Sequence, residues 1–154
     1  MNELTKILLT SSLTVLGGVL VFVTGQLIVK FLIEPIHELK KIIGEIRFTL
    51  AFYATVIHTP AARDEDRSDR TAEALMKGSC DLLARVDSIP FYAFLSSFFP
   101  RFLPAKTLVV DAATQLRGLS TYVHETDDRA MDSLDVIANR VARIEHDLGF
   151  EPLQ

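Results

Sequence analysis

The sequence predicts an all-α protein: an N-terminal transmembrane helix within residues 1–33, then an antiparallel up-down four-helix bundle over residues 34–154 with an aromatic interfacial link. Three observations lead there. Ile7 to Val29 is an apolar run without a charge, long enough at ~1.5 Å per residue to cover a ~30 Å hydrocarbon core. The rest of the chain carries apolar residues at helical spacing in four successive stretches. Six aromatic residues and three of the six prolines crowd into one segment, Ile89 to Pro104, a composition foreign to a solvated loop.

The span reads as a retained anchor. The start Met1-Asn2-Glu3-Leu4-Thr5-Lys6 lacks the basic character of a secretory signal, the apolar run exceeds the length of a signal core, and Phe31-Leu32-Ile33-Glu34-Pro35 offers no small-residue exit. Lys30 closes the run with an aliphatic stem that can snorkel. Lys30, Lys40, Lys41 and Arg47 follow the span, whereas only Lys6 and the terminal amine precede it. The positive-inside rule then puts the C-terminal part in the cytoplasm. The single Cys80 permits no intramolecular disulfide, in keeping with a reducing compartment, and is expected to be a small buried hydrophobe.

Ser11, Thr14, Gly18 and Gly25 fall on one face of the span, with 11, 18 and 25 a heptad apart, so another helix can approach the backbone closely there. Gln26 adds a possible interhelical hydrogen bond. A second copy and a membrane partner protein would use this stripe in the same way, and a solitary helix in lipid is the alternative.

Beyond the span, Ile36, Leu39, Ile43, Ile46, Leu50, Tyr53 and Ile57 alternate steps of three and four, predicting one helix from about Glu34 to His58. Pro35 marks its start, as a kink or a first-turn proline, and Thr59-Pro60 stops it. A second helix follows the alternating charges of Arg63 to Arg70, with Ala72, Leu75, Ser79, Leu82 and Val86 inward, Met76 and Leu83 widening the face, and an end near Ser88-Ile89-Pro90. The third runs from near Pro104 to about Glu125 on Val109, Ala112, Leu116, Leu119 and Val123. The fourth, capped by Thr126 or Asp127, buries Ala130, Leu134, Ile137, Val141, Ile144 and Leu148 and closes at Gly149.

Topology then locates the aromatic link. The first bundle helix rises about 37 Å from the membrane and the second must return, so the link lies near the lipid. Phe91, Tyr92, Phe94, Phe98, Phe99 and Phe102 are expected at headgroup level, with Phe98, Phe99 and Phe102 reaching the acyl boundary and Arg101 and Lys106 meeting phosphates. Two other readings stay open: the rings cap the base of the core or pack on the end of the span, or they form an apolar pocket for a lipid or other hydrophobe.

The formal net charge of −4 supplies no basic field, so nucleic acid is not an expected partner. No phosphate-binding, nucleophile-elbow or zinc-protease motif occurs. Glu34-x-x-His37 has di-iron spacing but no second copy. His37 and His146 are expected at the membrane end, and His58, His124, Glu125, Asp64, Asp127 and Asp128 at the far end, where solvated polar ends outweigh a cation site. No cofactor and no catalytic residue is expected.

Glu34-Pro35-Ile36, Ile43-Gly44-Glu45-Ile46 and Ala51-Phe52-Tyr53-Ala54 together resemble a pattern found in small, uncharacterised single-pass bacterial membrane proteins. The resemblance spans about 25 residues, implies a bacterial setting and a single span, and carries no activity. The resulting expectation is a non-enzymatic inner-membrane protein whose bundle mediates assembly or signalling, with the bilayer and either a second copy or a membrane protein as partner. The alternative is a binder of lipid or another hydrophobic ligand at the membrane interface.

Overall fold

The computed structural model describes residues 3–59, 63–100, 102–125 and 133–150. Every regular element among them is helical, and one long apolar helix opens the chain. Helix α1, Glu3–Ile28, has no buried residue. It continues through a π-helical turn, Val29–Ile33, into α2, Glu34–Phe52, as one helix of 50 residues from Glu3 to Phe52, about 75 Å long. Its first part is long and apolar enough to cross a membrane.

The π-turn has a local cause. Pro35 has no N–H to give the carbonyl four residues back, and its ring crowds that carbonyl. The turn widens by one residue instead, and the Glu34 N–H donates to the Val29 carbonyl. Pro35 itself sits in the first turn of α2, where no donor is needed.

The first stripe does not hold as one helix. The chain breaks at Tyr53, with φ −97° and ψ 11°, and restarts as α3, Ala54–His58. Successive residues Val56 and Ile57 of this short helix are both buried, at 1% exposure each. The break folds this last turn in between α7 and the start of α4.

Helix α4, Glu65–Ser88, starts at Asp64, whose carboxylate accepts from the Arg67 N–H at 3.0 Å. Glu65 and Asp66 complement its dipole. Then come α5, Tyr92–Phe98, α6, Lys106–Tyr122, and α7, Leu134–Leu148. Helix α7 ends in a Schellman motif. Gly149, at φ 71°, donates to the His146 carbonyl and Phe150 to that of Glu145. The expected caps Thr126 and Asp127, with Ala130, lie outside the described residues.

The core is the sum of four inward faces: Leu39, Ile46 and Leu50 of α2; Leu75, Leu82 and Val86 of α4; Val109, Ala112, Leu116 and Leu119 of α6; Ile137, Val141, Ile144 and Leu148 of α7. Helix α4 packs on both α2 and α6, and α6 packs on α7. Small residues set the approach. Gly78 of α4 lies under Ile46, where an added Cβ would stand 3.2 Å from its Cγ1. Ser79 beside Ala112 and Ala113 lets α4 close on α6, its buried hydroxyl donating to the Ala113 carbonyl at 2.8 Å.

Two expected core residues face out. Met76 is exposed, one step past Leu75 on the rim of its face. Cys80 is exposed as well, because it follows Ser79, which takes the inward position.

Candidate membrane-facing site

The segment after α4 turns sharply at Phe91, the one non-glycine residue with positive φ (56°) among the described residues. A bulky side chain in the left-handed region is strained. The turn aims the Phe91 ring outward, leaving it 81% exposed, while its carbonyl accepts from Phe94 and Leu95 to start α5. That helix of about two turns was not foreseen; its sequence, with two serines among the rings, has no clean helical stripe.

Tyr92 departs from the expected membrane contact. Its ring is buried in the core and its hydroxyl donates to the Pro104 carbonyl at 2.8 Å. This bond pins the two ends of the link together. Burial pushes the Tyr92 phenol up to about 12. Leu103 is buried beside it.

Phe94, Phe98, Phe99 and Phe102 are all exposed. The Phe94 and Phe98 rings meet at a tilt with centroids 5.1 Å apart, and Phe99 lies 6.3 Å from Phe98. Arg101 lies outside the described residues. Lys106, assigned to lipid phosphate from sequence, instead pairs with Asp87 at 2.8 Å.

The link lies beside the point where α1 passes into α2. Leu32, Ile33 and Ile36 on one side and Leu95, Phe99 and Leu103 on the other enclose a groove of about 400 Å³. His37 and Lys40 stand at its edge, and the Lys40 ammonium lies 4.7 Å above the Phe102 ring. A second cavity of about 350 Å³ shares Lys40 and Phe102 and reaches Asp147. Among the described residues, the rings other than Tyr92 therefore make an exposed apolar rim and a groove, while Ile89, Tyr92 and Leu103 serve the core and Leu95 packs against it.

The stripe Ser11, Thr14, Gly18, Gly25 and Gln26 is exposed along its whole length, and a Cβ at either glycine would meet nothing within 4 Å. The Thr14 hydroxyl already donates to the Thr10 carbonyl. The π-turn delays the register by about one residue, so Gly44 falls about five full turns beyond Gly25, on the same side. Gly44, Phe48 and Ala51 are exposed there, while Leu39, Ile46 and Leu50 point the opposite way, into the core. Phe48 and Phe52 stack at 5.5 Å on this open face, a pairing that the inward stripe drew attention away from.

At the far end, buried Arg63 donates from Nε to the Val56 carbonyl and from Nη2 to that of Ile57, each at 2.9 Å, and from Nη1 to the Glu125 carbonyl. Desolvation lowers its pKa from the ordinary value and the Glu125 charge opposes that. Glu125 in turn accepts from the Ser133 hydroxyl at 2.7 Å. His124 faces Asp69 at 3.8 Å, and Asp127 and Asp128 lie outside the described residues. No group of three or more His, Cys, Asp or Glu among the described residues is placed to hold a metal ion.

No family model, curated protein or solved structure matches this chain.

Proposed function

We propose that this is a non-enzymatic, single-pass protein of the bacterial inner membrane, anchored by α1, whose C-terminal helices lie in the cytoplasm and mediate assembly or signalling. The observation that carries the reading is the single helix from Glu3 to Phe52: unburied throughout its apolar first half, it becomes one wall of the core in its second. Span and helical body are thus one rigid piece. In this reading α2, α4, α6 and α7 form an antiparallel up-down four-helix bundle. The chain of contacts from α2 to α4 to α6 to α7, and α7 back to α2 and α3, supports it.

The partner surface is the side that bears Ser11, Thr14, Gly18, Gly25 and Gln26 in lipid, continued by Gly44, Phe48 and Ala51 outside it. A second copy or a membrane protein would pack there backbone to backbone. Phe91, Phe94, Phe98, Phe99, Arg101 and Phe102 hold the body against the bilayer. Binding of a lipid or other hydrophobe is the second reading, favoured by the groove beside Phe99.

The test is disulfide crosslinking in native membranes, with Gly18→Cys or Gly25→Cys in a Cys80→Ser background. Crosslinked species from these positions, and none from Leu20→Cys on the opposite face, are expected. Equal crosslinking from every face, or from none, would remove the assembly reading. A thiol at Asp66→Cys labelled from the periplasmic side would reverse the orientation.

A further inference from the structure

We infer that the groove between the start of α2 and the aromatic link seats an acyl chain of one anionic phospholipid from the surrounding leaflet, with the headgroup phosphate against Lys40. This rests on the membrane location and the lipid-binding reading proposed above, and names the lipid. The groove has a fixed floor. Ile36 and Leu95 pack against the core, Leu103 is buried, and the bond of 2.8 Å from the Tyr92 hydroxyl to the Pro104 carbonyl ties down the link. An acyl chain therefore enters a preformed slot of about 400 Å³ and orders little of the protein on binding.

The lining is graded along the long helix. Leu32 and Ile33, next to the end of the apolar run, line the groove at one end, Ile36 follows, and His37 and Lys40 stand at the other. Lys40 is about 12 Å further along the helix than Leu32, and its side chain leans back towards the N-terminal, membrane side. Apolar below and cationic above is the order of a phospholipid standing in its leaflet. A chain that enters at Leu32 stays in apolar contact while its phosphate reaches Lys40.

Charge selects the headgroup. Among the described residues no carboxylate lines the groove, and Lys40 forms no ion pair. Its ammonium lies 4.7 Å above the Phe102 ring, a contact that leaves it N–H donors for a phosphate. The next lysine is different: Lys41 lies 3.8 Å from Glu45 and lines another cavity, with Asp81 and Arg85 of α4. A net negative headgroup is thus matched at Lys40, whereas the ammonium of a zwitterionic one finds no counter-charge in the groove and is repelled by the same lysine.

The experiment is native mass spectrometry of the full chain, released from nanodiscs holding equal amounts of phosphatidylglycerol, phosphatidylethanolamine and phosphatidylcholine of matched chains. One phosphatidylglycerol per chain should be retained about fivefold over either zwitterionic lipid, the size of effect one lysine near an anionic surface provides. Lys40→Gln, at an exposed position that does not threaten folding, should bring that ratio to within about twofold of equality, and Lys41→Gln should leave it unchanged. Phe99→Ala, which strips an exposed wall of the groove, should lower retention of all three lipids without altering their ratio. Equal retention of the three by the native chain, a preference lost equally in Lys41→Gln, or retention indifferent to Phe99→Ala would overturn the inference while leaving lipid binding in place. A chain that holds no lipid would overturn the lipid-binding reading as well, and one that fails to enter the nanodisc would overturn the anchor.

Discussion

Replacing Arg63 with Met should cost the helical body about 3 kcal/mol, and the reason lies in the backbone around it. The carbonyl of Val56 would ordinarily accept from the residue four positions on, but that residue is Pro60, which has no N–H. The carbonyl of Ile57 is likewise in the last turn of α3, without an intrahelical donor. Both residues are 1% exposed, so water is a poor substitute, and among the described residues it is Arg63 that supplies side-chain donors to them. Each buried carbonyl left unpaired costs about 1–3 kcal/mol. The Glu125 carbonyl sits on a half-buried residue and recovers water, so the two α3 carbonyls dominate and about 3 kcal/mol follows. Methionine preserves the apolar contacts of the arginine stem, which isolates the polar loss. The assay is urea unfolding of the full chain in mild detergent followed by circular dichroism, where the span contributes a constant background. Arg63→Lys, a single point donor in place of a fork, should recover only part of the loss. A loss below about 1 kcal/mol for Arg63→Met would refute the argument that these carbonyls depend on one side chain.

Three further outcomes are expected. Arg85→Gln, which removes a half-exposed ion pair to Glu38 between α4 and α2, should cost less than about 1 kcal/mol in the same unfolding assay. Tyr92→Phe should lose about 1 kcal/mol at neutral pH with the bond to the Pro104 carbonyl. The unfolded phenol titrates near 10 and the folded one near 12, so Tyr92 contributes stability that is complete below pH ~10 and lost as pH rises towards ~12; a difference curve between native chain and Tyr92→Phe that stays flat across that window would contradict this. Phe91→Gly should raise stability by about 1 kcal/mol in thermal melts, because glycine relieves the left-handed backbone and the ring it removes is exposed; a destabilised variant would mean that the ring packs on the body.

What the sequence made legible is what burial writes locally. An uncharged run of span length identifies the long N-terminal helix without any tertiary information. Steps of three and four picked out Leu39, Ile46, Leu50, Leu75, Leu82, Val109, Leu116, Ile137 and Ile144, all buried, because one-sided burial of a helix leaves that period in the residues themselves. Gly149 was readable as a helix end for a similarly local reason, the left-handed backbone of the Schellman motif. The break at Tyr53 was not, since the same period runs straight through it and only packing of α3 between neighbours decides the direction. Arg63 is one charge in an alternating run, and its partners are carbonyls that no side-chain pattern announces. Asp147 sits on an amphipathic helix that reads as polar at its edge, and no local pattern marks it as buried. Within the link, composition separated the aromatic cluster from ordinary loops but gave no means of telling Tyr92, which turns inward, from Phe91, which turns out.

The π-turn at Val29–Ile33 sets an angular offset between the apolar first part of the long helix and the second part that walls the core. Removing one residue there would restore an ordinary helix and swing α2, with everything packed on it, by about 100° about the axis of the span. The small-residue face of α1 would then look towards a flank of the body instead of away from it. The extra residue thus acts as a phase setting. The bearing of Gly18 and Gly25 about the helix axis therefore sets that of Phe48 and of the aromatic rim, because one continuous helix runs from Glu3 to Phe52.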